Sequence, residues 1–239
     1  MYAATELLLP GVTLVNDWAP GVEAETAFTT RFKQVGGDIL ESIRIPLANP
    51  DFAPFLQRIG DLKPDTAFIY FPGTQAPIFA KQFAERGLGQ SGIKIIGPGD
   101  LTDDDGLNDM GDQMLGMITA GPYSAAHNSA LNKTYVAAIQ KTNGFRPDFV
   151  SLGAYDGLHL VYEALKKTGG NSDGDALIAV MKGMAWESPR GPISIDPDTR
   201  DIVSNIYIRK VVKTDGQLWG EEFETFPNVK DPMKVAAAK

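Results

Sequence analysis

The sequence predicts an α/β fold: a parallel sheet with alternating helices over the first half, then helices without strands, then a closing β-hairpin. Three observations predict it. A βα pattern recurs three times, at Val12–Val15 before Asn16-Asp17-Trp18, at Ala67–Phe71 before Pro72-Gly73-Thr74, and at Ile93–Ile96 before Gly97-Pro98-Gly99-Asp100. From Ser129 to Met184 apolar residues keep helical spacing with no strand pattern between them. Two strand-like runs, Pro192–Asp196 and Ile202–Val212, then flank Pro197-Asp198-Thr199-Arg200. Strands alternating with helices imply parallel pairing and right-handed crossovers. Ligands of such sheets bind at the carboxyl ends of the strands, where these turns sit.

The bulk properties narrow the function. The 239 residues suit one large domain or two lobes, and 43% hydrophobic with 22% charged residues is ordinary for a globular protein. A net charge of −8 argues against nucleic acid, which demands clustered Lys and Arg. With no cysteine, disulfides, thiol nucleophiles and thiolate metal sites are excluded. Apolar runs are too short for a membrane-spanning helix. The start, MYAATELLLPG, lacks a basic region and does not read as a secretion signal.

The elements follow in order. Ala24, Ala27, Phe28, Phe32 and Val35 form a helical stripe with Glu23, Glu25, Thr29 and Lys33 opposite, stopped by Gly36-Gly37. DILESIRI, residues 38–45, alternates as a strand. Asp51 opens a short helix closed by Gly60, and Thr74 is the expected N-cap of a helix that ends at Gly87. Leu115–Ala120 reads as a further strand. Helices are expected over Ser129–Thr142, Phe149–Thr168 and Asp175–Met184, the second burying Leu152, Tyr155, Leu158, Val161, Tyr162 and Leu165. Asp215-Gly216 is a tight turn, and the chain from Pro227 reads as a loosely held tail.

Few motifs carry chemistry. No G-x-G-x-x-G or G-x-x-x-x-G-K-[ST] is present, and Asp100 stands where a phosphate would need to sit. The run Leu101–Gly106 has acids at two calcium-loop positions but lacks the first and last ligands, so a solvated helix N-terminus is the better reading. No G-x-S-x-G occurs, and His127 and His159 lie far apart. The chain is therefore predicted not to be an enzyme and to need neither metal nor cofactor. Trp18 reads either as an edge aromatic packed on its own turn or as a ring over a small ligand at a cleft rim.

VTLVNDWAPGVEAETAF, TAFIYFPGTQAPIFAKQFAERGL, IKIIGPGDLTDD, GAYDGLHLVYEAL and RGPISIDPDTRDI, in that order, resemble the branched-chain amino acid (Leu/Ile/Val-type) solute-binding proteins of bacterial ABC transporters. The resemblance runs from Val12 to about Lys230 and rests on order and spacing more than on any single motif. It implies a type I periplasmic-binding-protein-like fold: one complete parallel-sheet α/β lobe, the helical part of a second lobe, and a C-terminal β-hairpin. Residues 12–120 would form the second lobe with its ligand-facing turns, 121–190 the helical remainder of the first, and 191–239 the hinge-returning hairpin and tail. The N-terminal part of the first lobe would lie outside this sequence.

By the same resemblance, Trp18 stands where the family usually has a Tyr on the ligand, and Thr74 or Gln75 matches a second ligand-facing position. The acid that holds a ligand ammonium falls at Gly99 or Asp100; Gly99 would favour a ligand without an ammonium. Tyr155 is a further ligand-binding candidate. The implied function is the substrate-binding component of an ABC importer for a branched-chain or other amino acid, or a related small carboxylate or amide. A ligand-sensing domain of the same fold is the alternative. The implied partners are the small-molecule ligand and the transporter's membrane permease, in the periplasm, without nucleic acid or membrane insertion. Self-association through uncovered apolar surface is a further expectation.

Overall fold

In the computed structural model, residues 10–48, 51–71 and 73–237 are described. The N-terminal apolar run Leu7-Leu8-Leu9, Pro50, Pro72 and the last two residues lie outside them. The chain divides into two units: Met1–Ala120 with Lys210–Trp219, and Gly121–Arg209 with Gly220–Lys239. It passes between them three times.

The first unit is wound around a parallel sheet. Its strands are β1 (Gly11–Asn16), β2 (Ile39–Ile45), β3 (Thr66–Tyr70), β4 (Lys94–Pro98) and β5 (Ile118–Gly121), in the spatial order β2-β1-β3-β4-β5. All four pairings are parallel, with Val12 beside Glu41 and Ala67, and Ile96 beside Phe68 and Ile118. Three helices connect them: α1 (Ala19–Gln34), α2 (Ala53–Leu62) and α3 (Ala76–Glu85).

Strand alternation sends successive side chains to opposite faces. Val12, Leu14, Ile43, Ile45, Ala67, Ile69 and Ile95 join Phe52, Leu56 and Ile59 of the α2 region and Phe79 and Phe83 of α3 in one core. Val15, Phe68 and Ile96 face the other way, where Phe28 of α1 stacks on Phe68 at 4.3 Å. Helices thus cover both faces, as continuous burial of β1 requires. Residues of the last part of the chain complete this core: Val211 and Leu218 are buried in it, and the main chain of Val211 bonds Gly116 and Met117.

The second unit holds α4 (Ala130–Asn143), α5 (Phe149–Lys167) and α6 (Gly174–Met181), then β6 (Ala185–Ser188) and β7 (Gly191–Ile195). The strands β8 (Ile202–Thr214) and β9 (Gln217–Val229) pair with each other and contribute residues to both units. β6, β7 and β8 pair antiparallel. A final helix, α7, spans Pro232–Ala237. Helices α4, α5 and α6 each start at a residue whose side chain accepts a main-chain N–H: Ser129, Asp148 and Asp173.

Several sequence expectations need correction. The helix expected to close at Gly60 continues to Leu62, because Lys63 takes the left-handed capping conformation at φ 50°. The segment after β4 forms three short 3₁₀ turns, Gly99–Thr102, Leu107–Met110 and Asp112–Met114, and not the start of an α-helix. The strand expected over Leu115–Ala120 begins at Ile118. The expected loose tail from Pro227 is paired strand to Val229 and then α7. Of the six α5 residues expected in a core, only Leu152 is fully buried; Leu158 and Tyr162 are more than half exposed, since no described element covers that stripe.

Candidate functional site

Three of the predicted turns leave the carboxyl ends of neighbouring strands β1, β3 and β4. The sheet's connections run outward from β1 to β2 and then back across to β3, so the order reverses between β1 and β3. The crevice at such a reversal is where open α/β sheets take ligands. Trp18 stands at this point as the N-cap of α1, with an extended backbone and 36% exposure. Its place is set by a close approach: a Cβ on Gly21 would lie 2.2 Å from the Asn16 carbonyl oxygen, so α1 can fold over the end of β1 only with glycine there.

Thr74 is exposed in the 3₁₀ turn Gly73–Gln75 that precedes α3. It is not the N-cap; Gln75 holds that position without a capping side-chain bond, because the 3₁₀ turn inserts before the helix. The Gln75 amide is engaged at both ends. Its Oε1 accepts from Asn16 Nδ2 at 3.2 Å, and its Nε2 donates to the Leu47 carbonyl at 2.8 Å.

The turn after β4 places Gly99 in a buried position and Asp100 half-buried beside it. Gly97 makes the turn feasible, since a Cβ there would meet Leu101 Cδ1 at 2.2 Å and the Ile69 carbonyl at 2.5 Å. The Tyr70 phenol at the end of β3 interacts with the Asp100 carboxylate of this turn. Burial raises the pKa of this phenol above its ordinary value, and the Asp100 charge and bond raise it further. Trp18, Thr74, Gln75, Gly99 and Asp100 are therefore gathered on the first unit. Tyr155 lies on α5 in the second unit, where its ring is tilted against Tyr135 at 5.1 Å.

Sequence reading missed the groups that brace this rim. Glu25, expected on the outer face of α1, is buried: it accepts from Thr13 Oγ1 at 2.6 Å and from Arg44 Nε and Nη2 at 3.1 and 2.8 Å. Arg44 also reaches Asp17 at 3.8 Å, giving that acid the partner the sequence did not reveal. Helical spacing alone put Glu25 on the polar side; the complementary signal was Arg44 inside a strand pattern. In the second unit, Asp156 of α5 is 4% exposed and paired with Arg190 at 2.7 Å.

A parallel sheet covered on both faces, with βα turns gathered at its order reversal and three chain passages to a second unit, defines a type I periplasmic-binding α/β protein. The chain belongs to the periplasmic binding protein family, whose model matches residues 11–217. It is 41% identical over 225 residues to a Leu/Ile/Val-binding protein homolog 6 of Brucella suis biovar 1 (strain 1330), which covers 92% of this chain and 58% of that protein. The chain thus spans 58% of the length of the curated relatives it matches. Among solved structures it is similar to a solute-binding protein of an ABC transporter from Rhodopseudomonas palustris BisB5 in complex with 3,4-dihydroxybenzoic acid. That similarity has 62% identity and a TM-score of 0.93, and covers 98% of this chain and 64% of the other. A second, from Rhodopseudomonas palustris HaA2 in complex with p-hydroxybenzoic acid, has 39% identity and a TM-score of 0.88, covering 95% and 62%.

Proposed function

We propose that this chain is part of the periplasmic solute-binding component of an ABC importer, delivering a small carboxylate to a membrane permease. We infer that the ligand is a benzoate-type aromatic acid rather than a branched-chain amino acid. The observation that carries the ligand class is the turn after β4. Gly99 takes the buried place in this turn and offers no side chain to an ammonium, and Asp100 beside it is only half-buried. A ligand with a hydroxyl donor and an aromatic face suits that acceptor and the half-exposed ring of Trp18 better than a ligand needing a dedicated counter-ion. The relatives solved with hydroxylated benzoic acids support the same class.

On this reading Trp18, Thr74, Gly99 and Asp100 are the ligand-facing residues of the first unit, with Trp18 as the apolar platform and Gln75 beside them, while Tyr155 is the candidate of the second unit taken by itself. Among the described residues, no helix is long and apolar enough to cross a membrane.

The test is a thermal-shift titration of the chain with 3,4-dihydroxybenzoate, 4-hydroxybenzoate, benzoate and leucine up to millimolar concentration. A ligand at ten times its Kd stabilises by about 1.4 kcal/mol, which moves the midpoint by a few degrees. The expected result is stabilisation by the aromatic acids, lost in Trp18→Ala, and none by leucine. Stabilisation by leucine alone would overturn the ligand class.

A further inference from the structure

We propose that Asn16 and Gln75 form a positioning pair that sets the rim of the first unit before any ligand arrives, so that Gln75 acts through its neighbours and not by touching the ligand. The proposal rests on the reading that this rim takes a ligand and assigns one of its residues a different task.

Asn16 ends β1 and is fully buried. Its Nδ2 donates to the Pro46 carbonyl and to Gln75 Oε1, both at 3.2 Å. Gln75 Nε2 donates in turn to the Leu47 carbonyl at 2.8 Å. The two main-chain carbonyls can only accept, so they fix which end of each amide is the NH₂. Three segments are thereby joined: the turn after β1, the turn after β2, and the 3₁₀ turn that enters α3. The pair spans the gap between β1 and β3, where the strand order reverses.

The main chain of Asn16 is held as firmly as its side chain. Its carbonyl accepts from Trp18 N at 2.9 Å, Asp17 N donates to the Ile45 carbonyl at 2.8 Å, and Gly21 packs directly on the Asn16 carbonyl. Trp18 therefore inherits its position from Asn16. Thr74 inherits its own from Gln75, the next residue. Both Asn16 Nδ2 donations are thus committed to the turns beside it. Gln75, with both ends of its amide engaged and no capping bond to α3, has its hydrogen-bonding groups directed at the neighbouring turns.

The experiment compares wild type, Gln75→Ala, Asn16→Ala and the double variant of the full chain in two readouts. Hydrogen exchange without ligand is expected to quicken about tenfold at residues 17–19, 47–48 and 74–76 in Gln75→Ala, with β1 and β3 unchanged, as local opening of a loop network requires. Titration with 3,4-dihydroxybenzoate is expected to show about tenfold weaker binding in each single variant and no further loss in the double, the sign of two residues acting as one unit. Unchanged exchange in Gln75→Ala overturns the proposal, whether or not the wild type binds any aromatic acid. Additive losses of affinity overturn it as well, since they place Gln75 in direct contact with the ligand. Gln75 is only partly buried, so its variant tests the network even where Asn16→Ala does not fold.

Discussion

At the scale of single residues, the polar groups of this protein work through what they hold together. Asp196 closes β7 and organises the loop to β8: its carboxylate accepts from the main chain of Asp198 and Thr199, each at 2.9 Å, and from Lys230 Nζ at 2.6 Å. The Lys230 bond first, and then the two main-chain bonds, hold its pKa well below the usual carboxylate range. A carboxylate depressed in the folded state adds stability above its unfolded pKa, and that stability is lost as pH falls through the folded value. Asp196→Asn is therefore expected to melt below wild type at pH 7. The gap should stay constant down to about pH 5 and shrink steadily below about pH 4. Melting curves from pH 7 to pH 2 check this, and a gap that widens on acidification would contradict it.

At the scale of elements, α5 is specified at its start more strongly than along its length. Ser151 N donates to Asp148 Oδ1 at 2.7 Å and Asp148 N donates to Ser151 Oγ at 3.1 Å, a reciprocal cap. Asp148→Ala is expected to lower unfolding free energy by about 1 kcal/mol, measured by urea titration, and Asp148→Asn by less. Helix stops were legible in the sequence because they are local, whereas the cap at Asp148 was not read and the one expected at Thr74 falls in a 3₁₀ turn. Gly144, Gly169 and Gly170 all end helices with positive φ, and Asp215-Gly216 turns β8 into β9 with positive φ at both residues. The βα turns carrying Trp18, Thr74 and Asp100 were legible for the same reason. What escaped was non-local. Glu25 and Asp156 fall on polar-looking helical positions, and only Arg44 and Arg190, distant in sequence, explain their burial. β6 escaped because Trp186 and Ser188 make no pattern without their partners Ile193 and Gly191. The Asn16–Gln75 bond joins residues 59 apart, beyond any periodicity.

At the scale of the whole molecule, no described element of the second unit covers Val150, Leu158 and Tyr162 of α5, which are 61%, 55% and 58% exposed. Large exposed apolar side chains on one helix are a common seat of association. We expect the chain to self-associate with rising concentration in sedimentation runs, and Leu158→Lys to weaken that association; a monomer at every concentration, with no binding of a hydrophobic dye, would count against it. The three chain passages have a different consequence, one of timing. The edge of β5 finds its partner in β8, Ile202–Thr214, so during synthesis the first unit waits for roughly eighty to ninety more residues before that edge is closed. An unpaired strand edge recruits other strands, including those of neighbouring nascent chains. For this protein the vulnerable interval on the ribosome is therefore fixed by topology: it opens when β5 emerges and ends only when β8 does.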